Sequence, residues 1–280
     1  MKRLIPSGML LLIALLLSGP IAQGQRKPRI KGNRQVTEVS QSLPPFTHLR
    51  LADDLEVHLQ RGDSEGYRLE VDENLVDVLR FDVADGTLTV ASFYNITGSK
   101  KLSITILYRE LASVQADAGS LISEEVLVGD LLSVGATQAA SLQLRLRASL
   151  LNLKMEGNSR ADLNAEADSL HIELGDQVDA NLYTANQGMN LELNGHASLV
   201  LEGVSAAATV KLADYANLRA EGLIATRLQA QLEASAVGRL RADSEFRLDA
   251  SGGSRTYLYG QPHVSITRFA DRAELHKEPE

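Results

Sequence analysis

The sequence predicts an all-β protein: a parallel β-solenoid with about 20 residues per coil, preceded by a small β-strand unit that caps the first coil. Three observations carry that expectation. Between Ser113 and Pro262 a triplet of small residue, polar residue and leucine (twice with Gly leading and once with Thr) keeps returning. It reads Gly119-Ser120-Leu121, Ala140-Ser141-Leu142, Ala161-Asp162-Leu163, Ala180-Asn181-Leu182, Ala197-Ser198-Leu199, Ala216-Asn217-Leu218, Gly238-Arg239-Leu240 and Thr256-Tyr257-Leu258. Second, the segments between triplets alternate at period two, as in Leu153/Met155, Ile172/Leu174 and Leu191/Leu193 with charged residues between. Third, small-residue turns separate these segments. Short strands at such a period belong to coils that bury their apolar faces only on one another. An antiparallel meander would also turn every ten residues or so, but would not make alternate strands resemble each other. A leucine-rich repeat would need its fixed Asn or Cys and helical returns, which the repeats lack.

The elements follow in order. Residues 1–24 read as an export signal: Lys2 and Arg3, the apolar run Met9–Leu17, a break at Ser18-Gly19-Pro20, and a small-x-small site at Ala22-Gln23-Gly24. The run is shorter than the ~20 residues of a spanning helix. Cleavage is therefore expected, with export to the periplasm, outer envelope or medium and no transmembrane segment in the mature chain. Residues 25–42 are polar and weakly patterned, a linker or loosely attached arm. Residues 43–109 form an N-terminal β unit, with alternating runs at Leu55/Val57/Leu59, Tyr67/Leu69/Val71, Leu88/Val90 and Leu102/Ile104/Ile106. Arg61-Gly62-Asp63 and Ala84-Asp85-Gly86 supply its turns. Residues 110–264 are the solenoid. Residues 265–280 are a charged tail which, after Gly260-Gln261-Pro262, discourages further pairing.

If the triplets stack, their leucines form one internal spine. Their middle residues Ser120, Ser141, Asp162, Asn181, Ser198, Asn217, Arg239 and Tyr257 then form an exposed column spaced ~4.8 Å. No two neighbours in that column carry like charge, which would be destabilising.

The formal charge is −8, and −10 once Lys2 and Arg3 are removed. That balance argues against nucleic acid and anionic lipid. The chain has no cysteine, so stability comes from core burial and backbone ladders rather than disulfides, and attachment through a lipidated cysteine is excluded. Tryptophan is absent and aromatics are 4%, too few for stacked-aromatic sugar platforms.

Solenoids of this kind support polysaccharide chemistry when carboxylates flank a sugar bond. The turn residues Asp117, Asp176, Asp179 and Asp214 are the candidates. Their column, Asp117, Thr137, Gly157, Asp176, Gly195, Asp214, is interrupted by Gly and Thr, and aspartate in turns is expected for backbone capping alone. The histidines His48, His58, His171, His196, His263 and His276 have no metal-ligand spacing. No serine lies in G-x-S-x-G. Arg61-Gly62-Asp63 reads as a hairpin turn before it reads as an adhesion tripeptide, and Asn95-Ile96-Thr97 as a loop before a glycosylation site. No catalytic, metal or cofactor residue is assigned.

Two stretches resemble a known family. One is Pro45-Phe46 and Leu49-x-Leu51, continuing through Leu55-Glu56-Val57-His58-Leu59-Gln60-Arg61-Gly62-Asp63, Leu69-Glu70-Val71-Asp72-Glu73-Asn74-Leu75 and Asp85-Gly86-Thr87-Leu88-Thr89-Val90. The other is Ala250-Ser251-Gly252-Gly253-Ser254 with Tyr259-Gly260-Gln261-Pro262-His263-Val264. Together they resemble the bacterial family "putative auto-transporter adhesin, head GIN domain", over about Val36 to Val264. The resemblance implies a right-handed β-helix-like domain in exported, envelope-associated proteins, with no established activity. Nothing in the chain resembles an auto-transporter barrel. The expected function is a non-catalytic envelope or secreted binding scaffold, its partner a surface glycan or an envelope protein. The alternative is a carbohydrate-active lyase or hydrolase using the turn carboxylates.

Overall fold

The computed structural model describes residues 27–279; the expected export signal, residues 1–24, lies outside them. No helix among the described residues is long and apolar enough to cross a membrane. The N-terminal part contains β1 (Arg29–Ile30), β2 (Val36–Ser42), β3 (His48–Leu51), β4 (Glu56–Arg61) and β5 (Gly66–Asp72). After a 3-10 turn come β6 (Leu79–Ala84), β7 (Thr87–Ser92), β8 (Asn95–Ile96) and β9 (Leu102–Tyr108). The coils begin with β10 (Ser113–Ala116) and run through β11 (Ser120–Ala136), β12 (Ser141–Met155), β13 (Arg160–Leu174) and β14 (Asp179–Leu193). They continue through β15 (Ser198–Leu212), β16 (Asn217–Leu232) and β17 (Val237–Ala250) to β18 (Arg255–Tyr259), β19 (His263–Phe269) and β20 (Glu274–Lys277).

From β11 to β17 each strand pairs in parallel with the next in the chain. The result is a β-solenoid of about nine turns with about 19 residues in each. A coil is not two separate strands. It is one long strand that turns a corner, followed by a turn such as Glu156-Gly157-Asn158-Ser159. At the corner the ladder between β12 and β13 skips Ser149 and Asp168. Burial changes phase there, with Leu142, Leu144, Leu146 and Ala148 inward before it and Leu151, Leu153 and Met155 inward after it.

Inward residues stack in unbroken columns. One runs Leu88, Leu49, Val114, Val134, Leu153, Ile172, Leu191, Val210, Ala230 and Leu248. Each buried Leu, Ile or Val contributes roughly 1.5–3 kcal/mol by leaving water, which is how a chain without disulfides holds this shape.

The triplet leucines are all buried, as expected, but they do not form one spine. Leu142 stacks on Ala161, and Leu163 on Leu144. Leu182 stacks on Leu201, while Leu199 stacks on Ala180. The triplets of β13 and β14 are displaced by two residues from those of β12 and β15. Such a slip keeps every side chain on its face, because strand side chains alternate with period two. The supposed polar column therefore mixes two columns. One contains Ser120, Ser141, Arg160, Asp179, Ser198 and Asn217; the other contains Gln143, Asp162, Asn181, Val200 and Arg219.

The N-terminal unit contributes coils of its own, out of chain order. β3 and β4 pair in parallel with β10 and the start of β11, and β7 and β9 pair in parallel with β3 and β4 on their far side. Antiparallel β5, β2 and β6 then close this end.

The expected arm is a paired element instead. β2 runs antiparallel along all of β5, from Val36 opposite Asp72 to Ser42 opposite Gly66, and β1 pairs with β8. The buried Asp72 carboxylate fastens the region, accepting hydrogen bonds from the N–H groups of Arg34 (3.1 Å), Lys100 (3.0 Å) and Lys101 (3.2 Å). Gly32 passes so close that a Cβ there would lie 1.9 Å from Asp72 Oδ2.

The charged tail is likewise part of the solenoid. β19 pairs with β17 and β20 with β18. Its charges do not prevent this because they point outward or are neutralised: Arg268 Nε donates to Asp249 (2.7 Å), and Arg268 also bonds Glu233 (3.1 Å). Pairing is discouraged one rung later, by the irregular register of β19 and by Lys277, an exposed side chain that stacks over the inward Leu258 and donates to the Gly260 carbonyl.

Candidate functional site

Catalysis would need the turn carboxylates. Asp176 and Asp214 each have left-handed backbone, at φ 54° and 58°. Each turns its carboxylate back onto the preceding coil: Asp176 Oδ2 accepts from Gly157 N–H at 2.9 Å, and Asp214 Oδ2 from Gly195 N–H at 3.1 Å. Asp271 does the same for Gly252 at 3.0 Å. In three pairs of stacked turns, Gly157–Asp176, Gly195–Asp214 and Gly252–Asp271, a left-handed glycine is capped by a left-handed aspartate on the next coil. Glycine is required at Gly157, where a Cβ would lie 2.7 Å from both Gln138 N and O.

Asp117 lies one position away from this column and is held by Arg50, at 2.7 Å from Nε to Oδ2. Asp179 opens β14 and stacks between Arg160 and Ser198. The four candidates therefore do not converge. Asp176 and Asp214 are two coils apart, ~10 Å along the axis, and both are engaged in backbone capping.

The histidines are dispersed as well. His58 meets Glu56, His171 meets Asn190, His276 meets Glu274, and His196 stacks on Tyr215 with ring centroids 5.0 Å apart. Among the described residues no group of three or more His, Asp or Glu side chains could hold a metal ion. In Arg61-Gly62-Asp63, Gly62 N–H donates to the Tyr108 carbonyl at 2.8 Å, which fixes the tripeptide as a turn between β4 and β5.

The surface that does gather functional groups is the outward face of β12 to β15. Two columns lie side by side there: Gln143, Asp162, Asn181, Val200 and Arg145, Asn164, Tyr183, Glu202. They floor a groove of about 930 Å³. Its ends are made by two register breaks. The bulge after Ile122 brings the exposed Glu124 and Glu125 to one end, and the break after Val200 marks the other at Glu202. Between them the ladder is regular.

Among the described residues, Gln143, Arg145, Asp162, Asn164, Asn181, Tyr183 and Glu202 make no side-chain hydrogen bond or ion pair with protein. Elsewhere on the outside, several charges are paired from rung to rung or with a neighbour on the same strand. Arg147 bonds Glu166 (2.8 Å), Lys211 bonds Glu192 (2.5 Å), and Lys154 lies between Glu156 and Glu173 (3.3 and 3.7 Å). These two carboxylates hold the Lys154 ammonium above the usual lysine range, Glu156 more strongly. A second groove, of about 960 Å³, follows the corner and includes the satisfied Arg147–Glu166 pair. Of the grid residues, the triplet pattern marks Asp162 and Asn181 as outward; Gln143, Arg145, Asn164, Tyr183 and Glu202 lie outside the triplets.

The family model "putative auto-transporter adhesin, head GIN domain" matches residues 45–184 and again 163–262. The chain belongs to this family. As a head GIN family member it is similar to a putative adhesin from Parabacteroides merdae, at 16% identity and a TM-score of 0.68, covering 90% of this chain and 99% of that one. A putative adhesin from Parabacteroides distasonis matches at 16% identity and TM-score 0.68, over 89% of this chain and 100% of its own. A protein of the same species described as a putative lipid binding protein matches at 17% identity and TM-score 0.61, over 89% and 99%. At such identities the likeness shows the shared fold. No curated protein matches this head GIN chain. The family model matching twice, with overlap at 163–184, accords with near-equivalent coils on which one pattern can be laid in more than one place.

Proposed function

We propose that the chain is an exported, non-catalytic binding scaffold of the cell envelope that presents an elongated face to a surface glycan or an envelope protein. The observation that carries this reading is a division of labour among the polar side chains. Turn carboxylates are occupied in holding one coil to the next, whereas the outward grid of β12 to β15 is held in register with its donors and acceptors free. Family membership supports the same reading. A rigid scaffold has an advantage here, since groups that do not have to be ordered on binding lose less entropy.

The test is to incubate mature protein with envelope fractions and with acidic and neutral polysaccharides, with and without calcium, recording retention and new reducing or unsaturated ends together. Retention without product is expected. Product that disappears in Asp176→Ala or Asp214→Ala would replace this reading with an enzymatic one. Export is tested separately, by fractionating the native cell and sequencing the mature N-terminus, expected near Gly24.

A further inference from the structure

We propose that the groove over β12 to β15 binds a neutral oligosaccharide lying along the solenoid axis, about one sugar to each rung; this rests on the scaffold reading and specifies its ligand. The chemistry of the floor points to sugar. Gln143, Asn164 and Asn181 each offer an acceptor oxygen and a two-proton donor, while Asp162, Glu202 and Arg145 supply planar groups that can hold two hydroxyls at once. Vicinal hydroxyls, which donate and accept together, fit such a mixture. Tyr183 sits among them with 53% of its surface exposed. Its neighbours along the column are Asn164 and Glu202, so its ring can take the C–H face of a pyranose while flanking groups take the hydroxyls.

Geometry sets the orientation and length. The rungs repeat at ~4.8 Å, and each sugar of an extended chain advances by a similar distance, so an axial glycan meets an equivalent set of groups at every step. Four regular rungs lie between the two bulges, spanning ~14 Å from first to last, enough for a short oligomer. Charge decides the class. Asp162, Glu202, Glu124 and Glu125 line the groove against one cation, Arg145, so an acidic glycan is repelled. With a single aromatic and an open floor, a dissociation constant of ~1 mM is expected, about −4 kcal/mol by conversion.

The experiment titrates the isotope-labelled mature chain with cellohexaose, β-mannohexaose, xylohexaose and chitohexaose, and with hexagalacturonate as the acidic counterpart. Amide shifts and saturation transfer are recorded. At least one neutral hexamer should shift the amides of Asn164, Asn181 and Tyr183, with hexagalacturonate at least about tenfold weaker. Tyr183→Ala and Asn181→Ala, both at exposed positions, should each weaken binding about fivefold or more. Tyr215→Ala, which removes an exposed tyrosine from the turns, should leave it unchanged. No shift with any neutral hexamer up to about 10 mM, shifts centred elsewhere, or a preference for the acidic oligomer would overturn the proposal. Envelope retention undiminished in Tyr183→Ala would also overturn it while leaving the scaffold reading standing. Oligomer binding by a chain the envelope does not retain would do the reverse.

Discussion

Replacing Asp176 in turn by Gly, Asn and Ala separates the two contributions its turn makes. The wild-type carboxylate holds Gly157 N–H at 2.9 Å, at an exposed position, so the bond contributes ~0.5–1 kcal/mol. The backbone at φ 54° is tolerated by Asp and Asn, indifferent to Gly, and unfavourable for Ala by roughly 1 kcal/mol. Asp176→Gly loses the bond but gains conformational ease, and should change stability by less than ~0.5 kcal/mol. Asp176→Asn keeps an acceptor and should match it. Asp176→Ala loses both, about 1.5–2 kcal/mol in all. Gly157→Ala should exceed every one of these, because its Cβ would collide with Gln138 backbone at 2.7 Å, atoms that cannot swing aside. Urea unfolding by circular dichroism gives the order. Hydrogen exchange at the Gly157 amide gives the cause, with about fivefold faster local exchange in both the Gly and Ala variants. Equal damage from Gly and Ala would refute the left-handed strain argument, and an unchanged Gly157 amide would refute the cap.

Leu182→Asp should be severely destabilising, losing roughly 1.5–3 kcal/mol of burial and enclosing a charge. Asn181→Asp should lose less than ~1 kcal/mol, for its new like-charged neighbour Asp162; melting of both variants checks the inward and outward assignment. At Asp72, burial opposes ionisation, but the N–H groups of Lys100, Arg34 and Lys101 and the Lys100 charge prevail and hold its carboxyl below the ordinary range. A lowered folded pKa adds stability that is complete above the ordinary carboxylate value and is lost as pH falls through the folded one. Protection of residues 27–35 against proteolysis should fall in that window, and Asp72→Ala should remove the step. Gly203→Ala should be strongly destabilising, since φ is 117° and its Cβ would lie 1.9 Å from the Thr184 carbonyl oxygen; its melting temperature measured beside Gly188→Ala, which has open space, tests this.

The coil period, the parallel stacking and the identity of the inward leucines were legible because they are local and periodic: every second residue declares its face. What escaped was non-local. Val36–Ser42 looks like an arm, since its alternation is weak and its partner β5 lies about 30 residues away, beyond the parallel-paired β3 and β4. Residues 265–277 look like a tail because charge dominates composition there, while the few apolar side chains, Ile266, Phe269 and Leu275, are seen to stack on the inward Leu248, Ala250 and Thr256 only once the register is known. The out-of-order coil of β7 and β9 has no sequence mark, because a strand's pattern says which face is buried and not which strand lies beside it.

The groove escaped for a subtler reason, and a signal for it was present. Leucine was a poor origin for counting, since a shift of two leaves every leucine inward and no penalty exposes the error. The turns are a better origin. A left-handed position admits few residues, so it cannot slip: Gly157, Asp176, Gly195 and Asp214 recur at a spacing of 19, joined by Gln138 before them. Five residues beyond each lie Gln143, Asp162, Asn181, Val200 and Arg219, the observed column. The same count from Ala234, Gly252 and Asp271 reaches Arg239, Tyr257 and His276, which stack in the order the structure shows. Backbone conformation thus fixes the phase that hydrophobicity leaves open, and with the phase comes the composition of each outward column.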